Sequence, residues 1–247
     1  MTAETTRPGL LAIAGGGASS AAPTHTIAAF ELAMDEGADG IQVNVRLSRD
    51  GHPVVARDAS LGETTDGSGL VRDRTVRELK RLDAGAWFGN PRFCGQRLQT
   101  LAEMFERFRE RARFWIEISR EAADPSELVE RVVSAVEIYD VEARATIQSR
   151  DPRLLESVRS ANPSLPLGLV IDRGSMADLI ASPTPASALC LRVDLASAGV
   201  VQLMRSAGLA SYVWNVDEPA QMDRLIECNP TGIVTGKPGM LRARLTR

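Results

Sequence analysis

The sequence predicts an α/β fold: a (β/α)8 TIM-type barrel with a β-hairpin and a small insertion after the second strand. Three observations carry that expectation. Eight short apolar runs alternate with helical patterns from one end of the chain to the other. Such alternation implies parallel neighbours, because parallel strands need crossover connections. The chain has 247 residues, and eight units closing on themselves take about 250. A doubly wound open sheet is the rival arrangement.

The strands are expected at Leu10–Ala14, Gly40–Leu47, Phe114–Ser119, Ala145–Ser149, Leu165–Ile171, Ala188–Val193, Tyr212–Val216 and Gly232–Thr235. Between them, helix starts are marked by residues that satisfy free backbone N–H groups. Thr26 caps a helix whose Ile27, Phe30 and Met34 share a face and which stops at Gly37. Thr100 with Glu103 forms a capping box ahead of Leu101, Met104 and Phe108. Asp124-Pro125 and Asp151-Pro152 each place a cap before a proline at the first helical position. Helices over Ala196–Ala207 and Pro219–Glu227 complete the alternation.

One stretch breaks it. Asp50-Gly51 lies between the β-rich runs ending at Leu47 and starting at Val54, which signals a hairpin. With the turn centred on Arg49-Asp50, Gln42 comes near Arg57 across it. Residues 58–98 then carry Thr64-Thr65-Asp66-Gly67 and a short helix at Val76–Leu82, too little for a full unit. They read as an insertion over one end of the barrel, within a single domain spanning 1–247.

Composition excludes several functions. Basic and acidic residues number 29 and 32, a net charge of −3, which argues against nucleic-acid binding by phosphate neutralisation. No apolar stretch approaches the roughly 18 residues of a transmembrane helix, and the first residues lack a secretory pattern. Cys94, Cys190 and Cys228 have no metal-type spacing, so a reduced, cytoplasmic protein is expected. Lysine occurs only at Lys80 and Lys237, a bias of the kind a GC-rich bacterial genome imposes.

Ile13-Ala14-Gly15-Gly16-Gly17-Ala18-Ser19, with Ala22-Pro23-Thr24-His25-Thr26 after it, resembles the opening of the glycerophosphodiester phosphodiesterase family. So do Gly37-Ala38-Asp39-Gly40-Ile41-Gln42-Val43-Asn44-Val45, Thr64-Thr65-Asp66-Gly67-Ser68-Gly69 and Leu82-Asp83-Ala84-Gly85. Ile116-Glu117-Ile118, Gln148-Ser149, Val213-Trp214-Asn215-Val216 and Gly232-Ile233-Val234-Thr235 continue the likeness in order. It implies the irregular barrel of the phospholipase-C-like phosphodiesterases. Its chemistry does not carry over. Where the family's first strand ends in His-Arg-Gly, this chain has Gly15-Gly16-Gly17; its Pro-Glu-Asn step is Pro23-Thr24-His25. The family's Glu-x-Asp metal ligands become Gln42 and Asn44, and its second catalytic histidine becomes Arg57 before Asp58. The lysine after the third-strand glutamate becomes Ser119, and the late Thr-Asp becomes Thr235-Gly236. Of that set only Glu117 remains.

Calcium and magnesium are held by oxygen ligands, carboxylates above all. Gln42 and Asn44 keep an acceptor oxygen each but no charge, so no metal and no cofactor is expected. Without the ion, several kcal/mol of transition-state stabilisation disappear; a lost acid/base group removes roughly a further 10²–10⁴-fold.

Barrel sites sit at the C-terminal ends of strands. There Glu117 is either the candidate acid/base or an inherited carboxylate neutralised by an arginine, and Arg57 a fixed cation that either orients an anion or pairs with Glu117 or Asp58. His52 at the hairpin turn and His25 in a different loop do not replace the lost histidine pair. Gln42 and Asn44 point to one strand face and either hold a polar ligand or satisfy each other. Gly15, Gly16 and Gly17 offer an anion nest, a widened pocket or an ordinary turn. Ser119, Gln148, Arg192, Trp214 and Lys237 complete the candidate ligand-binding set, alongside Asp172 and Asn215. Three functions stay open. One is a repurposed, metal-independent enzyme acting on a small-molecule ligand. Another is a non-catalytic binder. The third is a residual phosphodiesterase releasing glycerol phosphate.

Overall fold

The computed structural model describes residues 9–119, 125–173 and 184–246. Eight parallel strands close on themselves: β1 (Leu11–Gly15), β2 (Gly40–Leu47), β5 (Arg113–Ile118), β6 (Ala145–Ser149), β7 (Leu167–Ile171), β8 (Ala188–Arg192), β9 (Ala210–Trp214) and β10 (Gly232–Thr235). Closure comes from β1, which pairs with β10 on one side and β2 on the other. The barrel, not the open sheet, is the fold.

Helices α1 (Ile27–Asp35), α3 (Leu101–Phe108), α4 (Pro125–Ile138), α5 (Pro152–Ala161), α6 (Ala198–Ser206), α7 (Pro219–Cys228) and α8 (Pro238–Leu245) each follow one of the strands β1, β2, β5, β6, β8, β9 and β10, and α2 (Val76–Leu79) lies in the insertion. The expected caps form. Thr26 Oγ1 accepts from the Ala29 amide, and Thr100 and Glu103 make both halves of their box. Asp151 accepts from the Arg153 amide, with Pro152 in the first turn. Asp124, the expected cap of α4, lies outside the described residues.

Strand alternation sorts side chains into two cores. One parity faces the helices, where Phe30 meets Phe108 edge-on at 5.9 Å and Phe105 meets Phe114 at 5.0 Å. The other fills the barrel: Ile13, Trp115, Val170, Cys190, Tyr212 and Val234 pack together. Burying aromatic and branched side chains at roughly 25 cal/mol per Å² is what holds the closed sheet.

The hairpin forms with β3 (Pro53–Val55) antiparallel to β2, but its register differs by one residue from that expected. Val45 opposes Val55 and Arg46 opposes Val54, centring the turn on Asp50. Ser48 accounts for this: its backbone N–H bonds the His52 carbonyl, and its hydroxyl bonds Asp50 Oδ1 at 2.7 Å. A short strand not foreseen, β4 (Gln99–Thr100), pairs with β3. Residues between β3 and β4 run through four 3₁₀ turns and α2. Asp83 knots this stretch by accepting from the amides of Gly85, Ala86 and Gly95. That knot holds the loop bearing Trp87.

Candidate functional site

At the C-terminal end of the barrel, two adjoining cavities open. The first, about 390 Å³, is lined by Glu117, Gln148, Arg150, Cys190 and Asp58. The second, about 300 Å³, is lined by Gly15, Gly16, His25, Trp87 and Asp217. Gln42, Asn44, Arg57, Trp214, Asn215 and Val234 line both, so the two are halves of one mouth.

Glu117 stands on the inward parity of β5, and its side chain is 15% exposed. Arg150 Nε donates to Oε1 at 3.3 Å and Gln42 Nε2 to Oε2 at 3.4 Å. Both contacts are long, so the carboxylate keeps acceptor capacity toward the cavity. Burial pushes its pKa above the usual carboxylate value, against the pull of Arg150 and Arg46. Desolvation wins because the guanidinium opposite is itself half in solvent, where its charge is screened.

Arg150 is the residue that strand-end reasoning missed. It lies two positions after Gln148 and shares its inward parity, which is the signal that finds it. Its Nη1 donates to Asp172 Oδ2 at 2.9 Å, and the guanidinium sits 5.2 Å from the centre of the Trp214 ring. Arg57, by contrast, pairs with its neighbour Asp58 at 2.7 Å, leaving Glu117 to Arg150.

His25 corrects an expectation: although it belongs to a separate loop, it lines the mouth. The backbone N–H of Asn44 donates to its Nε2 at 3.1 Å, and Nδ1 bonds Thr24 Oγ1 at 2.8 Å. The ring is therefore neutral, with the proton on Nδ1 and both nitrogens engaged. Burial takes its pKa from 6.5 to about 3.

The same contacts explain the triple glycine. A Cβ on Gly16 would lie 2.1 Å from Thr24 Oγ1 and 2.9 Å from His25 Nδ1. The Gly16 amide donates to the Gln42 carbonyl and the Gly17 amide to the Ala14 carbonyl. Two of the three amides an anion nest would use are therefore spent on backbone, and Thr24 and His25 fill the space beside Gly16.

Of the other expected site residues, Gln148 and Trp214 line the mouth, whereas Ser119, Arg192 and Lys237 are not among its lining. Ser119 accepts from Arg46 Nη1 at 2.5 Å and lines a separate apolar cavity beside the hairpin. Gln148 is buried, donating to Cys190 Sγ. Arg192 is held by both oxygens of Asp194, at 2.6 and 2.7 Å. Lys237 Nζ donates to the Asp217 carbonyl at 3.0 Å, while the Asp217 carboxylate accepts from Thr235 and Gly236. Trp214 donates its indole N–H to the Cys190 carbonyl, keeping its ring at the cavity wall.

The profile of the glycerophosphoryl diester phosphodiesterase family matches residues 16–240. The chain belongs to this family. A glycerophosphodiester phosphodiesterase of Caldanaerobacter subterraneus subsp. tengcongensis is 34% identical over 94% of this chain and 96% of its own length. A Bacillus subtilis glycerophosphodiester phosphodiesterase is 29% identical over 94% of this chain and 85% of its own. Among solved structures, an Oleispira antarctica phosphodiesterase in complex with the product sn-glycerol-3-phosphate superposes with a TM-score of 0.85 at 22% identity, covering 94% of each chain. That last likeness is one of fold.

Membership implies a divalent ion, and the donor set of this glycerophosphoryl diester phosphodiesterase homologue does not fit one. Hard cations take six to eight oxygens, several of them charged. Of Gln42, Asn44 and Glu117, only Glu117 carries charge, and a guanidinium already contacts it. Among the described residues no three His, Cys, Asp or Glu converge as metal ligands. Likewise, no helix among them is long and apolar enough to cross a membrane.

Proposed function

We propose that this family member is a metal-independent enzyme acting on a small polar or phosphate-bearing organic ligand in the barrel mouth. Glu117 exchanges a proton with the ligand. Gln42 and Asn44 orient its polar groups, and Arg57 and Arg150 hold its negative charge. The observation that carries this reading is the Glu117 carboxyl itself: buried, facing the cavity, and bonded by long contacts. Its raised pKa keeps it protonated to a higher pH than a free carboxyl, as a general acid requires.

A second reading, a non-catalytic binder, is favoured by His25. With both ring nitrogens engaged, the histidine lends no proton transfer, and Glu117 works without a partner of that type.

The test uses sn-glycerol 3-phosphate and glycerophosphocholine as probes in the presence of a chelator, with calorimetry for binding and mass spectrometry for product. Chelator-insensitive conversion, lost about 10²-fold or more in Glu117→Gln while binding persists, is the expected result. Saturable binding without product, unchanged in Glu117→Gln, supports the binder. Release of glycerol phosphate that stops on chelation contradicts both.

A further inference from the structure

We propose that the Arg150 guanidinium is the resident counter-charge of the mouth, and the group that denies Glu117 to divalent cations. The inference rests on the metal-independent reading above and names the residue responsible.

Arg150 is fixed by its place in the chain. It directly follows β6, and the next residue, Asp151, caps α5. The Asp151 amide also donates to Ser149 Oγ. The backbone of Arg150 is thereby held between a strand end and a helix start, with its side chain on the inward parity.

From there the guanidinium spans the mouth. It contacts Glu117 on β5 at 3.3 Å, Asp172 just past β7 at 2.9 Å, and the Trp214 ring on β9 at 5.2 Å. Two of the carboxylates at this end of the barrel thus converge on one organic cation. Around Glu117 the other charged or titratable neighbours are Arg46 on β2, Arg57 and Asp58 after β3, and the buried Cys190 thiol on β8. Arg46 is itself tied to Ser119 and to the Arg57 carbonyl, and Arg57 to Asp58. Among the described ion pairs, the one to the Glu117 carboxylate comes from Arg150.

A divalent ion would need Glu117 oxygen at about 2.3–2.6 Å. Bound to either oxygen of that carboxylate, it would face the positive charge of the guanidinium already seated on Oε1. Neutral Gln42 and Asn44 leave Glu117 as the one charged member of that trio, and Arg150 already meets its charge.

Carboxylates alone will therefore not restore a cation site; Arg150 must also go. Calcium binding, followed by calorimetry, separates the causes across four proteins: wild type, Arg150→Met, Gln42→Glu/Asn44→Asp, and the combined triple variant. Methionine keeps length and packing on Trp214 while removing charge. Wild type and Arg150→Met are expected to bind no calcium, and the triple variant at least tenfold more tightly than the double variant. Equal affinity of the double and triple variants, or a folded triple variant that binds none, overturns the role of Arg150. Calcium binding by wild type would instead overturn the metal-independent reading itself. A second readout avoids the heavily charged variants: carboxyl NMR of Glu117 should show its pKa rising in Arg150→Met, and an unchanged value contradicts the direct pairing.

Discussion

Lowering the pH from 6.5 to 5 should cost the protein about 2 kcal/mol of stability through His25 alone, since a pKa difference of one between folded and unfolded chains is worth about 1.4 kcal/mol. The folded-state pKa lies near 3 against 6.5 for a free imidazole. Burial does most of this; an Asn44 side-chain contact opposes it, and the charges of Arg57 and Arg46 add to it. Between those values the unfolded chain takes up a proton that the folded chain refuses, so stability falls as pH drops through the window. Glu117 has the opposite sign. Its raised pKa contributes stability that is present in acid and lost as pH rises. Carboxylates with lowered values, such as Glu31 and Glu103, matter only nearer pH 4.5 and below. Urea unfolding at pH 5 and 6.5, compared between wild type and His25→Asn, isolates the histidine, because Glu117 is common to both proteins. His25→Asn should flatten the slope, and asparagine tolerates the positive φ of 60° at that position. An unchanged slope would show that His25 is not the acid-sensitive group.

Gly17→Ala, next to the mouth, should cost about 2–5 kcal/mol of stability. Roughly 1–2 kcal/mol is the left-handed backbone and the rest overpacking. The Gly17 φ is +88°, and a Cβ there would lie 2.6 Å from the carbonyl carbon of Ala29 and 2.7 Å from its Cβ. Neither neighbour can yield, because α1 is anchored there by the Ala18 amide bonding the Ala29 carbonyl at 2.9 Å. Gly69 supplies the control: its φ is +86°, and a methyl group there would meet nothing within 4 Å. Gly69→Ala should therefore lose only the backbone part. At about 2–4 °C per kcal/mol for a chain of this size, melting curves separate the two. Equal losses would mean that the glycine run answers to backbone conformation and not to close packing.

Much of the fold is legible in the sequence because it depends on short-range signals. Thr26, Thr100 with Glu103, and Asp151-Pro152 each form the cap their types predict. The eight strands lie at the eight apolar runs: Gly40–Leu47, Ala145–Ser149 and Gly232–Thr235 have the expected bounds, and the other five are shifted at an end by one or two residues. The hairpin register differs by one because the Ser48–Asp50 bond, a side-chain detail, sets the turn. Strand β4 and helix α8 escape a sequence reading, since two residues make no pattern and α8 begins at a Lys-Pro-Gly sequence that discourages a helical one.

The site is less legible, for a physical reason. Strand ends identify which residues face the mouth, but not which side chains pair across it. Glu117, Gln42 and Asn44 reach it as expected. The guanidinium opposite Glu117 belongs to Arg150, because Arg57 finds Asp58 beside it in the chain. His25 enters because Gly16 carries no side chain to exclude it. These are partnerships between distant segments, which periodicity does not encode.

The most direct measurement is the melting temperature of the wild-type protein during calcium and magnesium titration, starting from chelated material. A ligand at about 100 times its dissociation constant stabilises the folded state by about 2.7 kcal/mol, a change easily read. Curves that superimpose from chelator to millimolar metal are the expected result. A saturable rise that disappears in Glu117→Gln would place a divalent cation on that carboxylate and contradict a mouth balanced by arginine.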